Sequence, residues 1–97
     1  MTALTALSPL DGRYQRQTES LRPIFSEAGL IRRRVLVELR WLEALAAEPA
    51  IAEVPPLSTA AISFLRELGE NFDAAKAGEV KAIEASTAHD VKAVEYW

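Results

Sequence analysis

The sequence predicts an all-α fold, and three observations carry it. Apolar residues in the first half recur at spacings of three and four. The second half places helix starters and helix breakers where further helices would begin and end. No segment alternates apolar and polar residues with the period of two that a half-buried strand requires.

Residues 1–22 lack a sustained helical period and hold the turn cluster Ser8-Pro9-Leu10-Asp11-Gly12. Pro9 fixes φ and Gly12 admits unusual backbone angles, so this stretch reads as a structured loop. A long helix is expected over about 23–47, with Pro23 in its first turn. Ile31, Val35, Leu39, Leu42 and Ala46 line one face, and Val37, Trp41 and Leu45 form a second stripe beside it. Two stripes are more than a one-sided surface helix needs, so this helix should be covered on more than one side. Glu48-Pro49 ends it, because proline cannot continue a helix and restricts the residue before it.

Residues 48–57, with Val54-Pro55-Pro56, read as an extended connection. Ser58 is a good N-cap for a helix over about 58–71, with Ala61, Leu65, Leu68 and Phe72 on one face. Another helix is expected over about 73–84, softened by Gly78, with Val80 and Ile83 as its apolar contacts. Residues 87–97 read as the start of a further helix. Its stripe of Val91, Val94 and Trp97 is open at the last residue; a natural terminus can look like this, but a segment cut from something longer is the expectation.

Composition narrows the functional classes. A chain of 97 residues holds one domain at most. Hydrophobic residues at 49% and charged ones at 26% argue for a packed domain over a disordered tail. The net charge of -3 disfavours tight, sequence-independent binding to nucleic acid. With no cysteine and one histidine, a disulfide framework and a Cys-ligated metal site are excluded. The N-terminus has no secretory leader pattern, and no run approaches the ~18–20 apolar residues of a membrane span. A soluble, cytoplasmic protein is the expectation.

Two places could carry chemistry. Asp11-Gly12-Arg13-Tyr14 offers a guanidinium fork and a phenol side by side on a turn, a pair suited to an anion. It reads more simply as a plain turn with a solvated Arg and a Tyr lying on the core. In Ser86-Thr87-Ala88-His89-Asp90-Val91, Thr87 and Asp90 fit a capping box that puts His89 in the first turn of the last helix. A helix start favours anions, so a neutral imidazole there could bind substrate or exchange a proton. The simpler reading is a capped helix with a polar surface histidine. Arg32-Arg33-Arg34 fan about 100° apart per residue and form no flat basic stripe. They suit a solvated face or a subunit contact with local acidic partners.

The residues also carry a resemblance. Ser8-Pro9-Leu10-Asp11-Gly12-Arg13-Tyr14, then Ile24-Phe25-Ser26-Glu27, then Val37-Glu38-Leu39-Arg40-Trp41-Leu42, and finally His89-Asp90-Val91-Lys92-Ala93-Val94-Glu95-Tyr96 stand in order. Together they resemble the bacterial adenylosuccinate lyase family, within the fumarase/aspartase superfamily, over essentially the whole chain. The resemblance implies the N-terminal helical domain of that fold, lacking its central helical bundle, from a homotetrameric enzyme. It implies reversible anti β-elimination of fumarate from adenylosuccinate, giving AMP, and from the succinylated aminoimidazole carboxamide ribotide of purine biosynthesis. No metal or organic cofactor is implied, and neither nucleic acid nor a membrane is an expected partner.

By the same resemblance Arg13 and Tyr14 would contact the nucleotide at its phosphate end. His89 and Asp90 would lie in the substrate site, with His89 near the leaving group as a binder or supporting acid. At Ala88 the family pattern leads one to expect a polar or basic residue such as Asn or Arg. The family's Thr-His-Gly-Gln segment and its serine-bearing loop, which hold the other catalytic His and the base, do not occur in the chain. The isolated 97 residues are therefore expected to be inactive. The alternative is a stand-alone helical interaction module, related to the lyase N-terminus, that binds a partner through the Trp41 and Trp97 stripes.

Overall fold

A computed structural model describes residues 2–97, and among these every regular element is helical, with no strand. The helices are α1 (Gln15–Thr18), α2 (Arg22–Phe25), α3 (Glu27–Ala47), α4 (Thr59–Glu70), α5 (Ala74–Thr87) and α6 (Asp90–Tyr96), with 3₁₀ turns at Pro9–Asp11 and Glu19–Leu21. The chain divides into two compact units, Met1–Leu30 and Ile31–Trp97, where composition suggested one domain.

In the first unit the stretch read as a loop is a succession of single helical turns. Ser8 Oγ accepts the Leu10 N–H at 3.1 Å and starts the first 3₁₀ turn. Thr18 Oγ1 donates to the Leu10 carbonyl at 2.9 Å, and Arg22 pairs with Asp11 at 2.6 Å. These polar ties replace a core: among the described residues of this unit only Gly12 and Gly29 are buried. Leu4, Leu7 and Phe25 stand almost fully in solvent.

The long helix begins at Glu27, later than the apolar spacing suggested. Ser26 has extended backbone (φ -75°, ψ 166°), and its Oγ accepts the Gly29 N–H at 3.1 Å, so it acts as a cap. Pro23 lies instead in the first turn of α2. Gly29 is required by the close crossing that results. A Cβ there would meet the Pro23 carbonyl oxygen at 2.6 Å and that of Ile24 at 2.8 Å.

The second unit has the true core, built from Ile31, Val35, Leu39 and Ala46 of α3 with Phe72, Ala77, Val80, Ala93 and Val94. Burial of such side chains contributes roughly 1.5–3 kcal/mol each for the larger ones. Ser58 caps α4 through the Ala61 N–H (3.1 Å), and Asp73 caps α5 through the Lys76 N–H (3.0 Å). Gly69 faces Leu36 and Leu39, which lets α4 approach α3 closely. Arg66 reaches Glu43 with two nitrogens, at 3.1 and 2.9 Å, and ties the same two helices at the surface. The second stripe of α3 is only partly covered: Val37 and Trp41 are exposed, while Leu45 is half-buried.

Candidate functional site

Arg13 and Tyr14 follow Gly12 at the end of the first 3₁₀ turn, where the Tyr14 N–H donates to the Pro9 carbonyl at 2.9 Å. The Arg13 guanidinium carbon lies 5.3 Å from the centre of the Tyr14 ring. Arg13 has no carboxylate partner among the described residues, and both side chains are exposed. A stacked guanidinium keeps its in-plane donors available, which is the geometry that suits an oxyanion. Gly12 makes the turn possible, since a Cβ there would stand 2.5 Å from the Ala3 carbonyl oxygen.

At the other candidate site the local structure departs from the capping box. Thr87 is the last residue of α5, and Ala88 ends that helix in the left-handed region (φ 53°, ψ 28°). His89, in extended conformation, is itself the N-cap of α6: its Nδ1 accepts the Lys92 N–H at 3.1 Å. Thr87 holds the corner between the helices. Its hydroxyl donates to the His89 carbonyl at 3.1 Å and accepts the His89 N–H at 3.2 Å. A Thr three residues before an Asp matches the capping pattern in sequence, but the left-handed residue between them starts the helix two positions later.

The cap has a chemical consequence. A ring nitrogen that accepts a hydrogen bond carries no proton, so the neutral His89 ring holds its proton on Nε2. The solvent-exposed His89 therefore offers Nε2–H as a donor. Two first-turn amides of α6 are already taken, Lys92 N–H by His89 and Val91 N–H by Asp90 Oδ1 at 2.9 Å. The helix start thus has fewer open donors for an anion than the sequence suggested.

Asp90 is engaged on both oxygens. Its Oδ2 accepts from Arg34 Nη1 at 2.7 Å, across 56 residues of sequence. The Arg34 hydrogen bond, followed by that from the Val91 N–H, lowers the Asp90 pKa below its ordinary value. Arg34 is thus the member of the basic triplet with a defined structural task. Among the described residues no three His, Asp or Glu side chains gather as a metal site would require.

No protein-family model matches the chain. Curated relatives do, across all 97 residues. The chain is 57% identical to the adenylosuccinate lyase of Haemophilus influenzae, 55% to that of Vibrio cholerae and 50% to that of Escherichia coli K12. The chain is homologous to the amino-terminal region of adenylosuccinate lyases. It spans 21% of the length of each of these lyases, and 100% of its own length is matched.

In this chain the sequence points to Arg13, Tyr14, His89 and Asp90 but not to Arg34. Nothing local could have found it, because its partner lies on another helix. Among the described residues no helix is long and apolar enough to cross a membrane.

Proposed function

We propose that the chain is the amino-terminal part of an enzyme that eliminates fumarate from adenylosuccinate and from the succinylated aminoimidazole ribotide. The observation that carries this reading is identity of 50–57% over every residue of the chain. In an anti β-elimination, a base removes a proton from the carbon beside a carboxylate while an acid protonates the departing nitrogen. The base and the second histidine are expected in the remaining polypeptide, as are the contacts that build a homotetramer. This chain supplies binding groups.

Arg13 and Tyr14 hold the phosphate end of the nucleotide. His89 donates Nε2–H toward the leaving-group side, where a donor stabilises charge that develops on nitrogen. Asp90, with both oxygens held by protein donors, sets the start of α6. The 97 residues alone are inactive, because they contain neither the base nor the second histidine.

The test uses the full-length polypeptide and follows fumarate release from adenylosuccinate. Wild-type protein should turn over, and absence of turnover overturns the reading. Arg13→Ala should lose roughly 10- to 100-fold in kcat/KM with helicity intact, as expected for charge-assisted bonds to an anion. Activity that hardly changes removes Arg13 from the site.

A further inference from the structure

We infer that Arg34 is a positioning residue for His89, acting through Asp90. The inference rests on the proposed lyase reading, in which His89 meets substrate.

The observations form one connected path. Arg34 sits on α3 with its side chain half-buried, and its Nη1 contacts Asp90 Oδ2 at 2.7 Å. The other Asp90 oxygen accepts the Val91 N–H, so the carboxylate is clamped between α3 and the first turn of α6. His89 immediately precedes Asp90 and spends Nδ1 on the Lys92 N–H of that same turn. On the other side it leans on Ala88, whose left-handed backbone is unfavourable for alanine. The start of this seven-residue helix is held from two sides: Thr87 ties the His89 backbone to the end of α5. The long helix α3 holds the first turn from the other side, through Arg34 and Asp90. Losing the ion pair leaves that turn anchored on the α5 side alone, and the imidazole then samples orientations in which the Nδ1 bond to the Lys92 N–H is not made.

An exposed ion pair adds little stability, so the expected effect lies in geometry. Displacement of a reacting group by about 1 Å can cost on the order of 100-fold in rate. The contact uses a single guanidinium nitrogen, and a lysine ammonium could reproduce it.

The experiment compares Arg34→Ala, Arg34→Lys and His89→Gln in the full-length enzyme, singly and with the first combined with the last. Arg34→Ala should lower kcat by about 10- to 100-fold, Arg34→Lys should restore it to within about three-fold, and Arg34→Ala should add less than about two-fold in the His89→Gln background. Should Arg34→Ala fail to fold, Arg34→Gln takes its place with the same expectations. Unchanged kcat in the Arg34 variant, no rescue by lysine, or a fully additive loss in the double variant overturns the inference. The lyase reading of His89 fails separately: His89→Gln would then retain wild-type activity.

Discussion

The Trp97 ring stands edge-on to Phe72, with centroids 5.2 Å apart and planes at 84°. The indole N–H also donates to Glu79 Oε2 on α5 at 2.8 Å. The last residue of the chain is thereby pinned to the α4–α5 junction and to the middle of α5. Phe72 is almost fully buried at that junction, so its ring fills space that several helices share. Phe72→Ala should destabilise the chain by about 3–5 kcal/mol through lost burial and the cavity left behind. Urea unfolding followed by circular dichroism checks this, and a loss under about 1 kcal/mol would show that the pair is peripheral.

Ala88 turns the chain between α5 and α6 with φ at 53°. A Cβ in this region costs roughly 1–2 kcal/mol, a penalty glycine does not carry. Ala88→Gly should therefore raise stability by up to about 1 kcal/mol, part of the relief being lost to greater unfolded-state freedom. Asparagine, the commonest non-glycine residue here, should give a smaller gain. Thermal unfolding of the two variants measures it, and destabilisation by both would contradict a left-handed corner at this position.

Asp90 provides the pH test. Its folded-state pKa is depressed, first by the Arg34 hydrogen bond and then by the Val91 amide. A depressed acid adds stability that is fully present above the unfolded value, about 4. That stability is lost as pH falls through the lower folded value. Carboxyl NMR should show Asp90 titrating below the ordinary aspartate range, and Arg34→Ala should move the midpoint upward. An unchanged midpoint in that variant would sever the link between the two residues.

What the sequence made legible, and what it hid, follows from the range of each interaction. The all-α class rests on spacings of three and four, which are local, and Ile31, Val35, Leu39 and Ala46 are indeed buried. Arg34 with Asp90 is separated by 56 residues, so no window along the chain could join them. The start of α6 was hidden for a different reason. Thr87 and Asp90 satisfy a common capping pattern, yet the choice of His89 as cap depends on the left-handed turn at Ala88, which alanine does not announce. The late start of α3 was similarly masked, because Ser26 interrupts the helix without disturbing the apolar period. Arg13 and Tyr14 were visible as an adjacent pair, but their stacking was not.

Two glycines should respond oppositely to the same substitution. Gly78 lies within α5 and a Cβ there meets nothing within 4 Å, so Gly78→Ala should stabilise by about 0.5–1 kcal/mol. At Gly29 the added carbon meets two backbone carbonyl oxygens of α2, which cannot rotate away as a side chain would. Gly29→Ala should cost about 1–3 kcal/mol. Denaturant midpoints of the two variants decide it, and shifts of the same sign would mean that α2 does not cross α3 this closely.

The exposed side of α3 sets the behaviour of the 97-residue chain on its own. Trp41 remains 59% exposed and Val37 65%, about one helical turn apart, and Trp41 lines a groove of about 360 Å³ with Leu42, Leu45, Leu68 and Val94, with Glu38 and Glu95 also on its wall. Soluble monomers seldom leave a contiguous apolar surface of this kind without a partner. The isolated chain should therefore self-associate at high concentration, with an apparent mass in sedimentation equilibrium that rises with loading. Trp41→Glu places a charge in the centre of that surface while leaving the buried Ile31, Val35 and Leu39 face untouched. The variant should stay monomeric over the same range with unchanged helicity. A wild-type chain that sediments as a monomer throughout would show that the groove is already satisfied without a partner.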